Sequence, residues 1–339
     1  MHNNQLKPEI TGEGDYLQTL ENIIFAVKGF VHPPTHIIAF PKYIPNKESK
    51  KGYSKIESLT ESYNFLRQHY PEYLRFDPVF NEILGEVPKP RIKKIFSPKN
   101  FLKNLLKKEI LDKVEKDAVD FVNLILDNSS LPISSLGISG SLMVGFHTEN
   151  SDIDLVVYGF KQAKTFYEFL KKMVKDEKSQ VKQYTEKDLQ RLYKFRVKDT
   201  EISFKQFVQV ETRKFLQGKF RGRDYFIRLV KESWEQDEKY GEKYYFSMGQ
   251  IEFKAKVVDD SESIFTPTKY VVDEVSVLNG LNIKVEEVVS YRGRFCEQAK
   301  KTEKIFVRGK LEKVLSKKGE YYRVLVGNSK KDIIIPLEA

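Results

Sequence analysis

The chain has few of the residues that build disulfides and zinc sites: one cysteine, Cys296, and five histidines in 339 residues. A single cysteine excludes an intrachain disulfide and fits a reducing compartment. With so few cysteine and histidine side chains, we expect no structural zinc site. The sequence also lacks an apolar run of membrane-spanning length, and its first fifteen residues, MHNNQLKPEITGEGD, contain no apolar segment of a signal peptide. We therefore expect a cytoplasmic protein that neither crosses a membrane nor is exported.

Acidic residues are also in deficit, which leaves a formal net charge of +10 and a pI near 9.2. The composition, 40% hydrophobic and 31% charged, is that of a soluble globular protein with two or three domains. An excess of positive charge favours polyanionic partners such as nucleic acids or nucleoside triphosphates. Surfaces rich in Lys and Glu are also typical of thermophilic proteins, which would explain the number of charges but not their sign.

The most informative stretch is residues 133–159, ISSLGISGSLMVGFHTENSDIDLVVYG. An apolar segment leads into Gly140-Ser141; after the ten residues 142–151 come Asp152 and Asp154, separated by Ile153, and then a second apolar run. This order predicts a strand, a turn with a short helix, and another strand. Glycine permits close backbone approach, and serine at a helix start can offer an N–H and a hydroxyl to a phosphate.

The strand geometry places the two aspartates together. Side chains at positions i and i+2 of a strand share a face, with Cα atoms ~6.6 Å apart. Two carboxylates held there repel one another by ~2–3 kcal/mol at an effective dielectric near 20. A divalent cation between them removes this repulsion, and hard oxygen ligands suit Mg²⁺ or Mn²⁺. Asp152 and Asp154 are therefore the predicted metal ligands.

Each part of this motif has a less specific interpretation. Asp-x-Asp is common in turns and at solvated strand ends, and Gly-Ser alone is usually a turn. An EF-hand loop is excluded, because Val156 and Val157 stand where a liganding residue and glycine would be needed. The combination of strand, Gly-Ser, spacing and Asp-x-Asp favours a nucleotide-transferring site.

Residues 137–157 resemble the signature of the DNA polymerase beta superfamily of nucleotidyltransferases, in which Gly-Ser is followed by nine to thirteen residues and then Asp-x-Asp or Asp-x-Glu. The wider chain, notably 27–45 and 257–271, is similar to an archaeal group of predicted nucleotidyltransferases. The resemblance implies that Asp152 and Asp154 hold Mg²⁺ or Mn²⁺. It also implies that Gly140 and Ser141 grip the β- and γ-phosphates of a nucleoside triphosphate.

Enzymes of this superfamily usually carry a third carboxylate on a later strand, which activates the attacking hydroxyl. The matching position on the strand predicted at 224–230 is Phe226. Asp224, two residues earlier on the same predicted face, is our candidate for the third catalytic acid. Glu201, on a strand predicted within 191–210, is a second candidate. Loss of this acid would put catalysis in doubt without abolishing nucleotide binding.

The expected fold class is α+β, with a nucleotidyltransferase-type mixed sheet flanked by helices. A small N-terminal region containing β-structure would occupy residues 1–90, the transferase-like domain 91–247, and an all-β, OB-like barrel 248–339. We expect one long amphipathic helix from Pro98 to about residue 125. Six short strands are predicted near 250–258, 268–278, 283–292, 303–315, 320–327 and 331–336.

Basic and aromatic residues on these elements are candidates for contacting nucleic acid. They are Lys103, Lys107, Arg221, Arg223, Arg308 and Tyr321. The alternatives are a solvated lysine-rich helix face and a barrel that packs its aromatics against the transferase-like domain.

Three functions follow. The first is metal-dependent transfer of a nucleoside monophosphate from a nucleoside triphosphate to a hydroxyl acceptor, for which we expect RNA. The second is a non-catalytic protein that binds nucleic acid or ribonucleoprotein on a degenerate transferase scaffold, as Phe226 suggests. The third is transfer of AMP to a protein or a small molecule.

Overall fold

A computed structural model describes residues 12–337, which form three β-sheets and, within that range, seven α-helices. The first sheet is antiparallel, in the order β5-β6-β3-β2-β1-β7 with β4 paired to β3. Helix α1 packs beside it. The elements are β1 Tyr16–Thr19, β2 Ile24–Val27, β3 His36–Pro45, β4 Tyr53–Lys55, α1 Leu59–His69, β5 Leu74–Asp77, β6 Glu82–Pro88 and β7 Ile92–Phe96.

The second sheet is mixed, in the order β10-β11-β12-β9-β8, and only β12 and β9 run parallel. Apolar side chains of β8, β9, α3 and α5 form the largest core. The elements are α2 Pro98–Leu105, α3 Lys113–Asn128, β8 Leu136–Ile138, α4 Gly140–Met143, β9 Ile153–Tyr158, α5 Phe160–Lys175, β10 Val181–Lys182, α6 Glu186–Arg196, α7 Phe204–Glu211, β11 Gln217–Phe220 and β12 Arg223–Val230.

The third sheet has the order β13-β14-β15-β17-β16-β18, and β13 pairs with β16 as well. Following the hydrogen-bonded neighbours through β13, β14, β15, β17 and β16 therefore leads back to β13. Only the β15–β17 pair is parallel. The strands are β13 Lys243–Glu262, β14 Thr268–Asn279, β15 Glu287–Ser290, β16 Lys304–Ser316, β17 Gly319–Leu325 and β18 Ile333–Pro336.

These elements confirm the α+β class with a mixed sheet, and each of the six predicted C-terminal strands has a counterpart. Short 3₁₀ turns complete the backbone at Pro71–Tyr73, Lys89–Arg91, Ile133–Ser135, Ser233–Glu235 and Gly293–Phe295. Strand β7 begins at Ile92, beyond the predicted boundary at residue 90, yet pairs with β1. The three-domain division stays a prediction. No helix within residues 12–337 is long and apolar enough to cross a membrane.

Two secondary-structure predictions were wrong. The long helix from Pro98 is two helices, because Asp112 begins a new one: its carboxylate accepts hydrogen bonds from the N–H groups of Val114 and Glu115, and Glu115 caps Asp112 in return. The strands expected within 191–210 are parts of the helices α6 and α7. Both of these helices also begin with capping boxes, which fix their start despite the alternating apolar residues that suggested strands.

All three sheets border one cleft of about 1090 Å³. The first sheet meets the third where the Tyr245 N–H donates to the carbonyl of Val79 at 2.8 Å and Lys310 pairs with Glu82 at 2.8 Å. The second sheet meets the third where the Thr266 N–H donates to the carbonyl of Leu229 at 2.8 Å. The cleft therefore has walls from three parts of the chain.

Candidate active site

The two aspartates of the motif lie at the start of β9. Asp152 directly precedes this strand and Asp154 is its second residue. Ile153 and Leu155 point into the core and are fully buried, whereas Asp152 is exposed and Asp154 is half-buried. Because side chains alternate along a strand, both carboxylates face the cleft, which they line.

Gly140 brings the Gly-Ser turn directly against Asp154. Its φ is +66°, and a Cβ placed on it would lie 1.8 Å from Oδ2 of Asp154. The backbone is tied at the same point, because the Ser139 N–H donates to the Asp154 carbonyl at 2.8 Å. The buried Ser139 hydroxyl donates to the Gly14 carbonyl at 2.7 Å, and Ser141 lines the cleft. Only glycine fits at position 140 with the carboxylate in this place.

The two carboxylates carry charge that no neighbour neutralises by direct contact. Among residues 12–337, neither Asp152 nor Asp154 has a cationic partner within 4.0 Å, unlike the other cleft acids Glu13, Asp199 and Asp224. Burial, and then the negative charge of Asp152, raise the pKa of the Asp154 carboxyl to about 7. The site therefore holds two carboxylates without a cationic contact, and the charge of Asp152 disfavours that of Asp154.

This arrangement fits a divalent cation. Oxygen ligands from paired carboxylates suit Mg²⁺ or Mn²⁺, and the missing Cβ of Gly140 leaves the Asp154 oxygen open to the cleft. A second group of possible ligands, Asp112, Glu115 and His147, has atoms within 4.8 Å of one another. Those side chains already serve the α3 cap, the Lys108–Glu115 ion pair and the 2.6 Å Asp112–His147 contact. The aspartate pair is thus the better candidate.

The strand that would carry a third acid lies beside the aspartates. In the parallel pairing of β12 with β9, Phe226 stands opposite Asp154. Asp224 lies on the same face of β12 and lines the cleft, but Arg191 pairs with it at 2.6 Å and Lys219 at 3.5 Å. Glu201 is exposed, belongs to no strand and does not line the cleft. Of the two candidates, Asp224 is the one near the site.

The predicted nucleic-acid contacts are scattered. Lys103 and Lys107 are exposed on and just after α2. Arg221 pairs with Asp120 at 2.5 Å, and Arg308 pairs with Glu252 at 3.3 Å. Tyr321 lines the cleft. Of these five residues, Tyr321 is the one that shares the cleft of the aspartate pair.

Arg223 stabilises the backbone next to Asp152. Its side chain is only 9% exposed and pairs with Asp117 at 2.7 Å. The same guanidinium donates to the carbonyls of Glu149 and Ser151, at 2.7 and 2.8 Å. Arg223 thus fixes the segment that immediately precedes Asp152.

Sequence reasoning missed the contribution of the first sheet. Tyr16 and Tyr43 are buried, and their pKa values are raised by burial first and also by the nearby charges of Asp152 and Asp154. Lys42 lines the same cleft. These residues are remote from the motif in sequence and follow no recognisable spacing, so only the packing of the sheet reveals them.

Comparisons with known proteins agree with this geometry. The family model described as a nucleotidyltransferase domain matches residues 120–215, which include Gly140, Ser141, Asp152 and Asp154 but end before Asp224. The chain is 31% identical over 331 residues to "Uncharacterized protein MJ1086" of Methanocaldococcus jannaschii, covering 94% of this chain and 95% of that one. No solved structure matches the chain.

Proposed function

This chain belongs to one family with the archaeal protein MJ1086 and contains a nucleotidyltransferase domain of the DNA polymerase beta type, and from this premise we propose that it is a metal-dependent enzyme. It moves a nucleoside monophosphate from a nucleoside triphosphate to a hydroxyl acceptor. The observation that carries the proposal is the contact of Gly140 with Asp154, beside unpaired Asp152. Because Gly140 has no Cβ, its turn lies directly against the two carboxylates and leaves space for a phosphate chain bound through a metal ion.

The residues divide the work as follows. Asp152 and Asp154 would hold Mg²⁺ or Mn²⁺, which supplies charge neutralisation for the phosphates and the developing transition state. Gly140 leaves room for the nucleotide, and Ser141 contacts its β- and γ-phosphates. The acceptor oxygen forms a bond to the α-phosphorus while the bond to the β-phosphate oxygen breaks, and pyrophosphate leaves with that electron pair. The acceptor proton passes to a base, for which Asp224 is our candidate.

We infer that the acceptor is RNA. The net charge of +10 favours a polyanion. The cyclic strand order of the third sheet supports an OB-like barrel, a fold that binds oligonucleotides, and Tyr321 and Arg308 belong to its strands. The competing proposal is that AMP is transferred to a protein or a small molecule.

One observation favours a second function. Phe226 stands opposite Asp154, and Asp224 is held by two cations. A site without a third acid would bind a nucleotide with one metal ion and transfer it slowly or not at all. The second candidate is therefore a non-catalytic protein that binds nucleic acid or ribonucleoprotein on this scaffold.

Labelled nucleotides separate these functions. The full-length chain would be incubated with each of the four α-labelled nucleoside triphosphates, Mg²⁺ or Mn²⁺, and an RNA pool, and in parallel with a protein extract. Label on RNA that is lost in Asp154→Asn supports the proposal. Label on protein identifies the competing acceptor. RNA binding without label transfer under any condition favours the second candidate.

A further inference from the structure

The cleft contains positive charges that no carboxylate neutralises by contact. Twelve lysine and arginine side chains line it. Nine of them have a carboxylate oxygen within 4.0 Å. The three others, in the part of the chain that the structure describes, are Lys42, Arg67 and Arg196. An unpaired cation in a partly buried site costs free energy, so it marks a place suited to an anion.

Lys42 is more sharply positioned than Arg67. It is half-buried on β3, and its ammonium donates to the Ile56 carbonyl at 3.1 Å, while the Ile56 N–H donates to the Lys42 carbonyl at 2.9 Å. Arg67 is exposed and its guanidinium donates to the Asn64 side chain at 3.1 Å. The bond from the ammonium to the Ile56 carbonyl, beside the backbone bond between the same two residues, holds the ammonium of Lys42 in a defined place.

The surrounding packing fixes this lysine relative to the Gly-Ser turn. The ring of Phe146, just after that turn, lies 5.1 Å from that of Tyr43, edge to face, and 4.5 Å from that of Tyr53, tilted, measured between ring centroids. Met143 and Val144 belong to the same buried cluster. The first sheet thus packs directly on the segment that presents Gly140 and Ser141.

Lys42 also lies within electrostatic reach of the aspartate pair. Burial, and then the charge of Asp152, raise the pKa of Asp154, and the positive charges of Lys55 and Lys42, after that of Arg228, oppose this rise. Burial lowers the pKa of Lys42, and the charge of Asp154 opposes this in turn. Lys55 lies on β4, which is paired with β3, and its own partner Glu57 is 3.6 Å away. The first sheet therefore presents two cations toward the carboxylates.

We propose that Lys42, assisted by Lys55, binds the phosphate chain of the nucleoside triphosphate, so that the first sheet completes the nucleotide site. This inference rests on the proposed nucleotidyl transfer. A nucleoside triphosphate adds several negative charges beside two carboxylates, more than a metal ion alone offsets. The lysine ammonium is a compact point charge that suits phosphate oxygens. Residues outside the matched domain at 120–215 would then belong to the active site.

The test measures binding of Mg²⁺-tripolyphosphate to the full-length protein by isothermal titration calorimetry at pH 7. Lys42→Met removes the charge and keeps the aliphatic stem, Lys42→Arg keeps the charge, and Lys50→Met removes an exposed lysine of the turn between β3 and β4 that does not line the cleft. We expect about tenfold weaker binding for Lys42→Met, as for loss of a charge-assisted hydrogen bond. Lys42→Arg should bind within about threefold of wild type, and Lys50→Met should match it.

The pH profile adds a measurement that a purely structural role would not change. Burial, and then repulsion by Lys55, lower the pKa of Lys42 to about 8, while Glu57 and Asp154 oppose this and Lys28 adds to it. Wild-type affinity should fall between pH 7 and pH 9 as the free ammonium loses its proton. The affinity of Lys42→Met should fall less between pH 7 and pH 9, and that of Lys42→Arg should stay constant.

The outcomes are distinct. Equal affinity and equal pH profiles for wild type and Lys42→Met would overturn the role of Lys42 and leave the proposed nucleotidyl transfer standing. No binding of Mg²⁺-tripolyphosphate or of any nucleoside triphosphate by the wild type would overturn both. Thermal unfolding of each variant identifies loss of fold, and failure of Lys42→Arg to restore binding in a folded protein would also count against the proposal.

Discussion

Replacement of Gly140 by alanine should impair the metal site by more than its effect on the stability of the fold explains. At φ +66°, a non-glycine residue costs ~1–2 kcal/mol of backbone strain. The added Cβ would lie 1.8 Å from Oδ2 and 2.7 Å from Cγ of Asp154. Ordinary contact of a Cβ with a heavy atom begins near 3.4 Å, so the carboxylate must move by roughly 1.5 Å. A misplacement of about 1 Å at a reacting centre can cost ~100-fold.

Gly145 offers a matched control in the same segment. Its φ is +75°, and a Cβ there would meet nothing within 4 Å. Gly145→Ala should therefore lose about the same 1–2 kcal/mol in the free energy of unfolding while keeping Mn²⁺ affinity and transfer activity. Gly140→Ala should lose both the stability and at least about 100-fold in activity. Calorimetry with Mn²⁺, urea unfolding and label transfer measure the three quantities. If Gly140→Ala binds Mn²⁺ as tightly as Gly145→Ala does, Asp154 is not a ligand of the metal.

Three further predictions test other parts of the account. Burial, and then the charge of Asp77, raise the pKa of Glu86 to about 7, so the folded state keeps a proton that the unfolded state releases above about pH 4.5. Glu86→Gln should therefore gain roughly 2 kcal/mol in the free energy of unfolding at pH 8 and almost nothing at about pH 4, where the folded and unfolded states both keep the proton, and an equal gain at both pH values would exclude this cause. Asp224→Asn should lower transfer by about 100-fold or more while Glu201→Gln leaves it unchanged; unaffected activity in both would remove both as bases. RNA binding, measured by fluorescence anisotropy, should weaken linearly in a plot of log affinity against log salt, and a flat response would refute electrostatic binding.

The motif could be predicted from the sequence because its geometry is local. Gly140, Asp152 and Asp154 lie within fifteen residues, and the alternation of a strand determines which side chains share a face. The buried Ile153 and Leu155 fix that alternation. Their contrast in polarity with the aspartates was visible in the sequence alone.

The remainder of the site depends on contacts between distant segments. Lys42 reaches the cleft because β3 packs on Phe146, more than a hundred residues later, and no pattern in the sequence encodes that pairing. The helices at 186–196 and 204–211 were mistaken for strands because their apolar spacing is ambiguous, whereas the capping residues Thr185 and Ser203 decide the outcome. The direct ion pairs of Asp224 with Arg191 and Lys219 likewise follow from the fold.

The central claim is that Asp152 and Asp154 hold the divalent ion of a nucleotide site. It is tested most directly by a crystal structure of the protein with Mn²⁺ and a non-hydrolysable nucleoside triphosphate, with the metal located by its anomalous scattering. We expect an anomalous peak for Mn²⁺ between oxygens of Asp152 and Asp154, with the phosphate chain lying against Gly140. A peak only at Asp112, Glu115 and His147, or nucleotide density away from the aspartate pair, would contradict it.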